Sequence, residues 1–158
     1  MKVVILAGGF GTRMTKKFPN TPKPLIPVNE IPILEHVINE CKRNDIQEIL
    51  CVLHNQPKKI IDYFGDGSKF GLSISYHIEK EPKGTAGALL EVKSLLKESF
   101  LVLYADVYTE LNLKNCLTIN INSFNEMSDD AFSIYIELIN EIGGFFYTKN
   151  PVAKFNDP

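Results

Sequence analysis

Five consecutive apolar residues, Val3 to Ala7, stop abruptly at two glycines. The short β-branched stretch Lys2–Ala7, followed by glycine, predicts a buried strand that opens into a loop. Further along, Ile33, Leu34, Val37, Ile38 and Cys41 recur at three- and four-residue intervals, with Glu35, Asn39 and Lys42 between them. That period places one apolar stripe on a helix over Ile33–Arg43. Glu48–His54 is again nearly continuous in apolar residues and predicts a second strand. Pro57 suits the first position of a helix that continues to Phe64. Gly65, Gly67 and Gly71 then interrupt the pattern. Leu72–Ile78 alternates apolar and polar positions as a third strand does. Thr85–Lys97 carries a stripe of Ala88, Leu89, Val92, Leu95 and Leu96, and Phe100–Tyr104 is a fourth, fully apolar strand.

Strand and helix alternate over this whole stretch. The alternation predicts an α/β fold with a mostly parallel sheet and helices on both faces. Ligands of such sheets bind beyond the carboxyl ends of the strands. The pattern weakens after Leu117. Asn120–Asp130 is polar, Ala131–Ile139 suits a strand or a helix, and Gly143–Tyr147 suggests a turn with a short strand.

Composition narrows the function. Seventeen basic and 19 acidic residues give a formal net charge of -2, without the basic footprint of a nucleic-acid or membrane-surface binder. No apolar stretch approaches the length of a membrane span, and the start of the chain lacks the pattern of a secretory signal. Cys41, Cys51 and Cys116 form an odd set without a CxxC pair, which suggests buried thiols in a reducing compartment. The expectation is a soluble, cytoplasmic chain. His36, His54 and His77 have no metal-ligand spacing and read as structural. Asn55 and Gln56 follow the second strand on the ligand side.

The segment Leu6-Ala7-Gly8-Gly9-Phe10-Gly11-Thr12-Arg13-Met14 leaves the first strand directly. Three glycines in four positions allow backbone N–H groups to converge on an anion. Arg13 adds a planar fork of donors suited to phosphate. The ending Thr-Arg excludes a Walker loop, and Met14 stands where a dinucleotide fingerprint needs its third glycine. A second segment, Thr21-Pro22-Lys23-Pro24-Leu25-Ile26-Pro27, sets prolines on both sides of Lys23, which predicts a stiff loop presenting one ammonium. Glu81-Pro82-Lys83-Gly84-Thr85-Ala86-Gly87-Ala88 opens the third helix, with Thr85 as its expected N-cap. Asp106 ends the fourth strand, a position from which a carboxylate can ligate a hard cation.

Together these segments resemble the sugar nucleotidyltransferase family, whose signature pairs LAGGxGTRL with PKPL about a dozen residues on. Here the pair reads LAGGFGTRM and PKPL, followed by GTAGA and a Tyr-Ala-Asp in place of the usual Gly-Asp. The resemblance covers about residues 1–118. It includes the mannose- and heptose-phosphate guanylyltransferases and the glucose-1-phosphate thymidylyl-, uridylyl- and adenylyltransferases. It implies a Rossmann-like three-layer sandwich of the nucleotide-diphospho-sugar transferase type, with a core over 1–118. Residues 119–158 would complete or cap the sheet without forming a separate domain.

The implied reaction joins an NTP and a sugar 1-phosphate into an NDP-sugar, with release of pyrophosphate. The implied cofactor is Mg²⁺, held by Asp106. The implied nucleotide contacts are Leu6, Ala7, Gly8, Gly9, Gly11, Thr12, Arg13, Lys23, Glu79, Glu81, Gly84 and Thr85, with Arg13 and Lys23 catalytic. Glu79 or Glu81 would accept the paired donors of guanine, which favours GTP.

Family members also carry Glu-Lys-Pro and Asn-x-Gly segments for the sugar and a second metal-binding Asp. The two segments do not occur in these 158 residues. Asp129, Asp130 and Glu137 are possible replacement metal ligands, with solvated surface charge as the competing reading. The alternatives are therefore a nucleotide-binding regulatory module without turnover, or transfer to a non-sugar phosphate acceptor. Whether copies form a homo-oligomer stays open.

Overall fold

The structure is a computed structural model and describes residues 1–11, 14, 17–97 and 100–107. Its main sheet holds four parallel strands: β1 (Lys2–Ala7), β4 (Glu48–Leu53), β5 (Ser73–Ile78) and β6 (Phe100–Tyr104), in the order β5-β4-β1-β6. A small antiparallel ladder, β2 (Pro27–Val28) with β3 (Ile31–Pro32), leads into α1 (Ile33–Arg43). Two more helices follow, α2 (Pro57–Phe64) and α3 (Gly84–Val92).

The twofold period of the strands sorts their side chains between two cores. Val3, Ile5 and Ala7 face one side, with Ile49, Cys51 and Leu53, against Leu34, Val37, Ile38 and Cys41 of α1 and Ile60 and Phe64 of α2. Val4, Leu50, Val52 and Val102 face the other side, against Ala86, Ala88, Leu89 and Val92 of α3. Val3, Val4 and Ile5 are fully buried, and each such side chain contributes about 1.5–3 kcal/mol relative to exposure. The result is an α/β fold with a parallel sheet between two helical layers, as the strand–helix alternation implies.

The bounds of β1, α1, α2 and β6 follow the apolar pattern. The second strand ends at Leu53, one residue before His54, and the third begins at Ser73. The third helix departs most from expectation. It starts at Gly84 and ends at Val92, after which Lys93–Leu95 tightens into a 3₁₀ turn. Leu95 consequently points outward and is 51% exposed, so the inward stripe stops short of it. Thr85 is not the N-cap: Lys83 occupies that position without a side-chain cap bond, and Gly84 takes the first helical position with φ +69°. The readings made for residues 108–158 lie outside the described residues.

Candidate functional site

All four strands run the same way, so their carboxyl ends meet at one edge of the sheet. The pairings Ala7↔Leu53, Leu53↔Ile78 and Leu6↔Tyr104 align those ends. A cavity of about 300 Å³ lies there, lined by Leu6, Ala7, Gly8, Gly9, Lys23, Glu79, Gly84, Thr85 and Asp106 among others. Nine of the positions named from sequence therefore share one pocket.

The glycine segment leaves β1 at Ala7. Gly11 has φ +61°, and a Cβ there would lie 3.0 Å from Cβ of Lys23. Its missing side chain lets the loop and the lysine segment touch. Lys23 sits on a short 3₁₀ turn, Lys23–Leu25, closed by Leu25 N–H donating to the Pro22 carbonyl at 2.8 Å. The prolines thus set a tight turn where the sequence suggested only a stiff loop. From it the Lys23 ammonium reaches the Asp106 carboxylate in an ion pair. Asp106 is delivered by β6, whose exit is fixed by Ala105 N–H donating to the Leu6 carbonyl at 3.1 Å. Thr12 and Arg13 lie outside the described residues.

The opposite end of the pocket carries the other carboxylate. Glu79 follows β5 and is only 6% exposed, whereas Glu81 is exposed to solvent and does not line the pocket. Burial pushes the Glu79 carboxyl above its ordinary range, while the Lys83 N–H, 3.4 Å from Oε1, works the other way. The backbone of Glu79 is held from both sides. Its N–H donates to the Leu53 carbonyl at 2.8 Å, and its carbonyl accepts from Nδ1 of His54 at 3.0 Å. His54 also packs edge-on against Phe10 of the glycine segment, and Asn55 reaches the Phe10 carbonyl at 3.5 Å. Gly8 closes on Glu79: an added Cβ would stand 2.7 Å from its Oε2.

Several lining residues escaped the sequence reading. Tyr104 bonds the Thr85 hydroxyl at 3.1 Å, and Phe10, Pro24, Val52, Pro82, Ala88 and Ala105 complete the wall. Tyr104 and Ala105 stand beside Asp106 at the end of a strand, the one signal that could have flagged them. The remaining histidines are structural in their contacts, His36 to the Val28 carbonyl and His77 to Glu91.

The described residues include no cluster of three or more metal-ligating side chains. One strand-end carboxylate suits an ion brought in largely by phosphate oxygens, which is how Mg²⁺ is commonly held. Asp106 fits that donor role once Lys23 turns to an anion.

A glycine segment at the end of a central parallel strand, facing an ammonium–carboxylate pair, makes an α/β site whose geometry suits a phosphate group. The sequence matches the nucleotidyl transferase family over residues 2–136, and the chain belongs to that family. It is 36% identical over 113 residues to the D-glycero-alpha-D-manno-heptose 1-phosphate guanylyltransferase of Campylobacter jejuni, covering 72% of this chain and 51% of that protein. It is 34% identical over 133 residues to mannose-1-phosphate guanylyltransferase 1 of Arabidopsis thaliana, covering 81% of this chain and 37% of that one. HddC of Yersinia pseudotuberculosis, solved in complex with GMP-PN, superposes with a TM-score of 0.67 at 30% identity, over 75% of this chain and 57% of that one. The chain thus spans about half, or less, of the curated relatives it matches. None of the described helices is long and apolar enough to cross a membrane.

Proposed function

We propose that this chain forms the nucleotide-binding part of a sugar-1-phosphate nucleotidyltransferase that prefers GTP. The observation that carries the reading is one pocket with a Lys23–Asp106 pair beside the glycine segment and a buried Glu79 at its far end. The first end suits a triphosphate. The second offers a carboxylate to the adjacent N1–H and N2–H₂ donors of guanine. The guanylyltransferases among the similar proteins support that base choice.

In the proposed reaction an oxygen of the sugar 1-phosphate attacks the α-phosphorus of the NTP. The bond to the β-phosphate oxygen breaks, and pyrophosphate leaves. The nucleophile is ionised at neutral pH, so no side chain has to remove a proton. The protein's work is to hold two anions together and to offset the charge that builds at phosphorus. Gly8, Gly9 and Gly11 keep the backbone close to the phosphates. Lys23 neutralises the α-phosphate or the incoming sugar phosphate, and Arg13 the leaving pyrophosphate. Asp106 would hold Mg²⁺, which when bound supplies positive charge to the phosphate oxygens.

The test is a panel of four NTPs and several sugar 1-phosphates with Mg²⁺, scored for pyrophosphate, beside direct nucleotide titrations. Pyrophosphate release with GTP and a mannose or heptose 1-phosphate is expected. Comparable affinity for UTP or dTTP overturns the base assignment. Wild-type turnover in Arg13→Ala removes Arg13 from the scheme. A second reading is a regulatory module that binds nucleotide without turnover. GTP binding without pyrophosphate release selects it.

A further inference from the structure

The segment that carries Glu79 is clasped by a side chain outside the pocket. Glu91 projects from α3 and takes two partners. Its Oε2 accepts from Nε2 of His77 at 2.8 Å, and its Oε1 meets Nζ of Lys83 at 2.7 Å. His77 precedes Glu79 by two residues, and Lys83 follows it by four. One carboxylate therefore ties both ends of the stretch between β5 and α3.

Gly87 makes the second tie possible. A Cβ there would sit 2.4 Å from Cβ of Lys83 and within 3.7 Å of its Cγ and Cδ. The lysine stem crosses the gap and runs forward along the helix to Glu91. Fixing Lys83 also fixes its backbone N–H, the group that faces Glu79 Oε1 at 3.4 Å. The bonds from His77 and Lys83 hold the Glu91 carboxyl below its usual range, and Glu91 in turn raises the Lys83 ammonium. The tie between Glu91 and Lys83 is therefore charged on both sides across the neutral range.

We propose that Glu91 is a positioning residue for base recognition, which ties His77 to Lys83 so that Glu79 meets the base edge in one orientation. The proposal rests on the reading of Glu79 as the base acceptor. Glu91 touches no nucleotide. Its effect reaches the base end of the pocket only, because the glycine segment, Lys23 and Asp106 hang from β1, the 3₁₀ turn and β6.

The experiment compares Glu91→Ala with the unaltered full chain in direct titrations of GTP, UTP and inorganic tripolyphosphate. GTP affinity is expected to fall about tenfold, the scale of one lost charge-assisted bond, with the preference over UTP reduced alongside. Tripolyphosphate, which has no base, should bind within about twofold of the unaltered chain. Lys83→Met should lower GTP affinity in the same direction and add little to Glu91→Ala, because both break one tie.

An unchanged GTP-to-UTP preference in Glu91→Ala overturns the clasp. A parallel fall in tripolyphosphate affinity also overturns it, since that means general loosening. Glu79→Gln separates the two levels of the argument. Should it leave the preference intact, the reading of Glu79 fails and takes the clasp with it. Should it abolish the preference while Glu91→Ala keeps it, only the clasp fails. If Glu91→Ala does not fold, Lys83→Met and His77→Gln each open one tie, and unchanged preference in both overturns the proposal.

Discussion

Replacing Gly8 by alanine adds one methyl group to the floor of the pocket. The backbone of Gly8 is not in the left-handed region, so alanine fits its conformation. By itself that exchange stabilises a fold by about 0.4–1 kcal/mol, through the unfolded chain. The new Cβ would lie 2.7 Å from Glu79 Oε2, and the carboxylate must retreat by roughly 0.7 Å to reach ordinary contact distance. Glu79 is nearly enclosed and its backbone is held on both sides, so the movement falls on its side-chain torsions. A strained torsion costs about 0.5–1.5 kcal/mol, which nearly offsets the gain.

Thermal stability should therefore stay within about 3 °C of the unaltered protein. Binding should not be spared, because a shift of this size exceeds the roughly 0.5 Å tolerance of a recognition site. We expect GTP affinity to fall about 10- to 100-fold. Calorimetric or fluorescence titration of GTP, with a parallel melting curve, measures both quantities. The same substitution in a Glu79→Ala background should add little, since the offended group is gone. Unchanged GTP affinity in Gly8→Ala, or a full additional loss in the double variant, refutes the argument that Gly8 acts through Glu79.

Four other expectations can be checked with the same protein. Lys23→Met should lower pyrophosphate release by ~10²-fold or more while changing stability by only about 0–1 kcal/mol, because its pair with Asp106 is half-exposed; a stopped assay and a melting curve separate the two. Glu79→Gln should raise the melting temperature of the ligand-free protein at pH 8 and not at pH 4. Burial lifts the folded carboxyl above its ordinary value of 4.5, so the group is harmless while protonated and destabilising once pH passes its raised value. Equal shifts at both pH values contradict this. The same variant should move base preference from GTP toward UTP, read by titration. Finally, burial pushes both Cys41 and Cys51 thiols up to about 12. Iodoacetamide at pH 8 should leave both unmodified in the native protein and label both in urea, as read by peptide mass mapping.

Local pattern carried most of the fold. The uninterrupted run of β1, the helical period of α1 and the apolar block of β6 each mark an element whose bounds the structure repeats. The shift at the third helix has a local cause that periodicity does not see: Gly84 can take a positive φ, so the helix begins there and Thr85 is freed to bond Tyr104. Strand order is a different matter. Apolar runs do not say which strand is the neighbour of which, so the sequence order β1, β4, β5, β6 gives no warning that β1 lies between β4 and β6. The site divides the same way. Gly8, Lys23 and Asp106 are legible because their segments resemble the family's motifs, and all three line one pocket. The choice of Glu79 over Glu81 depends on burial, and the tie from Glu91 to Lys83 depends on two turns of helix bringing distant positions together.

The inner position of β1 has a consequence for how the pocket can loosen. Leu6, two residues before the glycines, is flanked by paired strands on each side. Its amide meets solvent only when the sheet itself comes apart, so it should exchange slowly among the described residues. The glycine segment is thus rooted in a strand held on both sides, whereas Glu79 follows β5, which among the described residues pairs with β4 alone. Partial opening should detach the Glu79 end of the pocket first and leave the glycine segment in place.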